Sequence, residues 1–565
     1  MTKLSIISTL ILLVLISSLK LNAQTFEWAK SMGGTNSYSS GASITVDNFG
    51  NVYTVGKFQD TVDFDPGAGT YNLISVGDFD VFVQKLDASG NFLWAKSIGG
   101  INTVTGNSIT LDAAGNVYTI GNFKDTVDFD PGTGVYNLTS IGNYDVFVQK
   151  MDASGNFIWA KSIGGTNWDR GSSIVVDASG YVYSTGRFRD TVDFDPGAGT
   201  NNLIAIGSND VFILKMDDLG NFIWAKSMGG NSYAYANSIA VDGSGNIYTT
   251  GVFQDTVDFD PGVGTSNLIS VGDQDVFVQK IDVSGNFLWA KSMGGSGTSS
   301  SQGTSITVDN SGNVYTIGAY RETIDFDPGA GTSNLTSIGS NDVFVQKMDA
   351  LGNFLWAKSM GGISSEIGKS IAVDGSGNIY TAGYFAGTVD FDPGAGTSNL
   401  TSVGVNDIFI QKIDGSGNFL WAKSMGGISS NSSGASITVD GSGNIYTTGS
   451  FGGTVDFDPG SGNNNLTSIG NDDVFVQKMS QSPTGISDNF INNQVSIYPN
   501  PSNGTVSFTE QKNIARIYFI DVMGKTVYTT TNTELIDISQ LSSGLYFVKT
   551  ISKNNSVSVH KLYLQ

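Results

Sequence analysis

The 565-residue chain has no cysteine, one histidine and ten prolines. Without cysteine there are no disulfides, no thiolate metal site and no thiol nucleophile. The one histidine, His560, lies close to the C-terminus, which leaves the rest of the chain without Ser–His or Cys–His nucleophilic machinery and without a histidine zinc site. Only 14% of residues are charged, and they sum to −22. Basic residues this sparse argue against nucleic acid or an anionic membrane as partner, because phosphate binding rests on clustered Lys and Arg. Beyond the first residues no apolar run is long enough to span a bilayer.

What is present in excess is glycine, at 73 residues, and repetition. A WAKS tetrapeptide carries Trp28, Trp94, Trp159, Trp224, Trp289, Trp356 and Trp421, a period of 65 to 67 residues. A period this long is the signature of an array. Within the copy at 43–100, β-rich runs at 43–47, 52–58, 80–87 and 92–97 predict strands a, b, c and d. Tight turns at 48–51 and 88–91 join a to b and c to d. Strand c is apolar on both faces, as in a sheet covered on both sides. Residues 26–31 form a strand d lacking its a, b and c, and residues 473–479 form a strand c lacking its d. The two fragments complete one unit. The expectation is an all-β chain: a seven-bladed β-propeller with four-stranded blades, the N-terminal strand closing the last blade, followed by a small C-terminal β-sandwich.

The stretches IAVDGSGNIYTTG at 239–251 and DVFVQKIDVSGNFLWAKSMGG at 275–295 resemble the bacterial SBBP β-propeller repeat. The resemblance implies a fold and a surface location but no single activity. At the N-terminus, Lys3, an apolar run over 4–19 and Leu21-Asn22-Ala23 read as a signal peptide over residues 1–23, cleaved near Ala23. Residues 24–480 are then the propeller and 481–494 a polar linker. In the remaining segment, 495–565, Tyr498-Pro499-Asn500-Pro501, the Asp521 to Lys525 turn, Leu541-Ser542-Ser543-Gly544-Leu545-Tyr546 and Lys561-Leu562 resemble the type A C-terminal sorting domain of the Bacteroidota type IX secretion system. That resemblance implies engagement of the secretion machinery through 495–565, export across the outer membrane, removal of the domain, and release or attachment at the cell surface. The mature protein is expected as a monomer, secreted or on the outer surface.

No catalytic residue is assigned. Aspartates Asp47, Asp112, Asp177, Asp242, Asp309, Asp374 and Asp440 each begin an a-to-b turn, where a carboxylate satisfies backbone donors. Between strands b and c every copy carries a D-F-D-P-G segment: Asp63 and Asp65, Asp128 and Asp130, Asp193 and Asp195, Asp258 and Asp260, Asp325 and Asp327, Asp390 and Asp392, Asp456 and Asp458. Two readings stay open for it, calcium ligation by the paired carboxylates and a hairpin turned by Asp-Pro-Gly. The flanking Asp60 becomes Gly387 and Gly453 in the last two copies, which weighs on the side of the hairpin.

The d-to-a loops and the ends of strand b share one face of the disc and vary most between copies. Blade three departs furthest, with Trp168, Asp169 and Arg170 in one loop and Arg187 and Arg189 two apart on a strand. An aromatic beside arginines in an acidic surface suits an acidic glycan or a carboxylate-bearing peptide. Two classes of function follow: a binding, adhesive or structural module, or a carboxylate-dependent, glycosidase-like hydrolase using non-repeated acids, for which the candidates are Asp169 and Glu366.

Overall fold

The computed structural model describes residues 23–482, 497–509, 514–521, 525–553 and 557–565. The signal peptide and linker readings fall almost wholly outside the described residues. Contacts divide the chain into a unit spanning Leu21–Pro483 and a second that contains Thr484–Gln565.

In the first unit, pairing builds seven antiparallel sheets on a four-stranded core in the order a-b-c-d, four of them extended to six strands by the b-to-c hairpin of the following blade. In blade one these are Tyr38–Val46, Val52–Gln59, Asp80–Leu86 and Phe92–Gly100. Each a strand lies beside the a strands of both neighbouring blades, and that of blade one meets that of blade seven, so the a strands line a central channel. The seventh sheet is assembled from both ends of the unit: Ala23–Met32 pairs with Asp473–Ser482, with Trp28 opposite Lys478 and Met32 opposite Val474. This is the N-terminal closure expected from the two fragments. Strand c is buried along nearly its whole length, and Phe, Tyr, Val and Ile from facing sheets fill the space between blades.

One feature differs from the sequence reading. Strand a begins at Tyr38, upstream of Ser43, because a bulge between Gly41 and Ser43 lets the ladder continue through a break in alternation. The b-to-c segment is a hairpin, Thr61–Asp63 with Asn72–Ile74. Its first strand also reaches the previous blade. Asp63 N donates to Gly33 O at 3.0 Å, and the same seam recurs as Gly99 with Asp128 and Gly164 with Asp193. Each blade is therefore stitched to the one before it by backbone hydrogen bonds.

The C-terminal unit has an antiparallel sheet of Ile514–Asp521, Thr526–Thr530, Gly544–Ser552 and Val557–Leu564, and a smaller one of Ile497–Tyr498, Thr505–Phe508 and Ile536–Asp537. Their core includes Phe508, Ile517, Phe519, Val548 and Leu562, and His560 sits opposite Val548 within the ladder. No helix among the described residues is long and apolar enough to cross a membrane.

Candidate functional site

The repeated carboxylates divide by what they hold. Asp47 Oδ1 accepts the N–H groups of Phe49 and Asn51, while its Oδ2 takes the Asn51 amide and the Tyr53 hydroxyl, which fixes the a-to-b turn. In the D-F-D-P-G segment, Asp63 Oδ1 accepts from Asp65 N at 3.0 Å and Tyr71 N at 2.8 Å, and Asp65 Oδ1 accepts from Gly67 N at 2.8 Å. All seven copies repeat this arrangement, through Asp128 and Asp130 to Asp456 and Asp458. Between the pair, Phe64 is buried against Phe58 and Phe82. Among the described residues no three His, Cys, Asp or Glu side chains gather as metal ligands. Backbone conformation accounts for the Asp60 position: its φ is +63°, and the same left-handed region is occupied at Gly387 and Gly453, where glycine carries no steric cost.

A third set went unassigned in the sequence, although its repetition is complete. Asp80, Asp145, Asp210, Asp275, Asp342, Asp407 and Asp473 open the c strands and are buried. Asp80 Oδ2 accepts from Val76 N at 2.9 Å, and the carboxylate lies so close to Gly99 that an added Cβ would fall 1.9 Å from it. Burial pushes Asp80 up to about 6 and raises its six counterparts as well. These are structural acids.

Departure from the repeat is concentrated at one mouth of the channel. A cavity of about 630 Å³ opens there across blades one to three, and all five residues singled out in blade three line it, together with Lys57, Asn107, Asn122, Tyr144 and Asn209. Arg170 opens strand a of blade three, and Arg187 stands opposite it on strand b. The Arg187 guanidinium sits 5.1 Å from the Tyr235 ring centre. Lys57, opposite Ser40 in blade one, places Nζ 4.6 Å from the Phe79 ring centre. Burial and the Arg170 charge lower Lys57, while crowding by neighbouring atoms and the Arg187 charge lower Arg170, whose side chain still reaches solvent. These cations crowd one another. Among the described residues the close ion pairs are Lys150 with Asp112 and Lys478 with Glu27, so Lys57, Arg170 and Arg187 have no carboxylate at that distance. Trp168 is 55% exposed and packs on Tyr144 with ring centres 4.9 Å apart.

The other two members of the set have committed polar groups. Arg189 Nε donates to Ser208 O at 2.8 Å. Asp169 is 2% exposed, and its carboxylate accepts from Gly165 N at 2.8 Å and Arg189 N at 3.0 Å. Glu366 does the same in blade six, accepting from Gly362 N at 3.0 Å. Burial raises Asp169 to about 6 and Glu366 to about 7. The two acids occupy equivalent positions in blades three and six, and each closes its own loop. Sequence reasoning missed Lys57, Asn107 and Tyr144 as partners of blade three; the variation of Lys57 among the strand-b ends was the available signal.

Two family models match parts of this architecture. Residues 27–57, 223–252, 356–384 and 420–450 match the family model of the SBBP β-propeller repeat, and residues 496–565 match that of the secretion system C-terminal sorting domain. A WD repeat-containing protein of Acanthamoeba polyphaga mimivirus is 25% identical over 70% of this chain and 34% of its own length. The regulatory protein FlaEY of Caulobacter vibrioides is 26% identical over 24% of this chain and 14% of its own. The chain thus spans about a third of the first of these curated relatives and about a seventh of the second. Among solved structures, Sqt1 from Chaetomium thermophilum aligns over 81% of this chain and 100% of its own, with 10% identity and a TM-score of 0.36. The four matched stretches are SBBP β-propeller repeats, and residues 496–565 are a C-terminal sorting domain of the type IX kind. That domain marks the chain for secretion to the cell surface or beyond, and for interaction with the secretion machinery.

Proposed function

We propose that the propeller is a binding module of the cell surface or its surroundings, and that its ligand is anionic and enters the channel mouth at blades one to three. One observation carries this reading: Lys57, Arg170 and Arg187 converge on an open cavity without a paired carboxylate, in a chain whose net charge is −22. Cations gathered without a paired carboxylate are stabilised by an incoming anion, and arginine offers it two-pronged hydrogen bonds. Asn107, Asn122 and Asn209 add neutral donors and acceptors around them. The repeated D-F-D-P-G loops serve as seams between blades, with their aspartates satisfied by backbone N–H groups.

Export follows from the tail. Residues 1–23 act as the signal peptide, 24–480 form the working part, 481–494 connect, and 495–565 are removed on arrival. Mass spectrometry of the secreted protein tests this, since Leu564 on most mature molecules would contradict removal. The ligand site is tested by screening the purified protein against anionic glycans and carboxylate peptides. Replacing Trp168, Arg170 and Arg187 together by Ala is expected to abolish binding while the melting temperature holds. Retained affinity would place the site elsewhere on the ring.

A further inference from the structure

We infer that the ligand is an acidic polysaccharide presenting at least two anionic groups, carboxylate or sulfate, with one sugar face laid on Trp168; this rests on the anion-binding reading above. The number of charges comes from the cations. Lys57 belongs to blade one and Arg170 to blade three, so they face each other across the Thr105 and Asn107 positions of blade two, and Arg187 continues the row toward Tyr235 in blade four. A single carboxylate reaches one or two of these groups and leaves the third without a counter-charge. Two or more anionic groups along a chain can meet all three.

The sugar comes from the remaining lining. Trp168 is the cavity's exposed aromatic surface, backed by Tyr144, and a pyranose stacks its C–H face on such a ring. Around it lie Asn122, Asn209 and Thr103, whose amide and hydroxyl groups match sugar hydroxyls. Asn107 is partly committed, its amide donating to Gly171 O at 2.7 Å and to Asn122 Oδ1 at 3.2 Å, which leaves the Asn122 amide N–H groups to a sugar. A peptide held by its apolar side chains would ask instead for an apolar pocket, and the mouth is lined mainly by polar side chains; an acidic peptide is the alternative that tetraglutamate tests below.

Calorimetry with the full chain tests the inference using five probes: galacturonic acid, tetragalacturonate, sulfated maltotetraose, maltotetraose and tetraglutamate. Tetragalacturonate or the sulfated maltotetraose is expected to bind about tenfold or more tighter than galacturonic acid, since each further charged hydrogen bond is worth roughly that factor. The tighter of the two identifies the anionic group. Maltotetraose should not bind, and tetraglutamate should be weaker by about tenfold. Lys57→Ala should remove most of the advantage of the longer glycan, and Trp168→Ala should weaken the glycans but not tetraglutamate; circular dichroism of both variants checks their folding. Equal affinity for galacturonic acid and its tetramer overturns the multiple-charge inference and leaves the anion site standing. Tetraglutamate binding as tightly as the glycans, untouched by Trp168→Ala, overturns the sugar. If no anionic probe binds, the proposed site fails with it.

Discussion

Blades three and six bury an acid at the same register position and otherwise share little on their channel side. Asp169 N donates to Tyr144 O and Glu366 N to Asn341 O, and each carboxylate accepts the N–H of the second glycine that ends its preceding d strand. Around that common element blade three sets Trp168, Arg170 and Arg187, where blade six sets Ser365, Ile367 and Tyr384. What the two blades share is therefore loop closure, and what they do not share is the cation and aromatic chemistry of the cavity. A raised carboxyl pKa alone would have named Asp169 and Glu366 as the functional pair. The comparison assigns them to the scaffold and leaves their neighbours to the ligand.

Four experiments break or sharpen that contrast. The largest effect is expected from opening the ring that holds the blades in place. Deleting Ala23–Met32 exposes strand c of blade seven and removes the burial of Ala29 and Met32. At about 2 kcal/mol for each buried apolar side chain plus the lost ladder, the cost exceeds about 5 kcal/mol; an unchanged calorimetric melt would refute closure. Next comes rewriting blade three with the residues of blade six, Trp168→Ser, Arg170→Ile and Arg187→Tyr. Anion binding should fall by about a hundredfold, roughly 3 kcal/mol, and persistence of titration heat would dissolve the distinction between the blades.

A smaller effect is expected when the shared acid is removed. Asp169→Ala and Glu366→Ala each strand buried backbone N–H groups, so chemical denaturation should show losses of about 1–3 kcal/mol in both. A loss confined to one blade would deny them a common role. The smallest effect is the pH response. Asp80 at about 6, Asp169 at about 6 and Glu366 at about 7 are raised above their unfolded values, so the folded state binds more protons between roughly pH 4 and 7 and stability rises as pH falls through that window. The turn aspartates work the other way. At Asp87 and Asp152 burial is outweighed by hydrogen bonds from Asn91 and Asn156, which lower the carboxyls; their contribution is present above about pH 4 and is lost below it. The melting temperature should therefore peak near pH 4–5, and a maximum at neutral pH would mean that the buried acids carry no weight.

Much of this was legible in the sequence because the chain repeats itself. The spacing of the WAKS tryptophans, the two tight turns and the complementary fragments at 26–31 and 473–479 marked the blades and their closure. The same repetition exposed blade three, since residues required by the fold recur and Trp168, Arg170 and Arg187 do not. What stayed hidden had physical causes. The bulge after Gly41 breaks the two-residue period, so the residues before it, Arg170 of blade three included, read as loop although they begin a channel-lining strand. Hairpin strands of three residues, such as Thr61–Asp63, are too short to show alternation. The partnership of Lys57 with Arg170 joins blades one and three across more than a hundred residues of sequence, and no local pattern reports it.

The way the seventh sheet is assembled also has a mechanical consequence. Asp473–Ser482, the strand from which the chain leaves the propeller toward its sorting domain, is paired on both edges, with Ile445–Gly452 on one side and Ala23–Met32 on the other. Tension entering from the C-terminal side along this strand loads two ladders of hydrogen bonds in shear at once, where a strand at the rim would peel away one bond at a time. The exit strand is thus the one best placed to bear a pull from the C-terminal side.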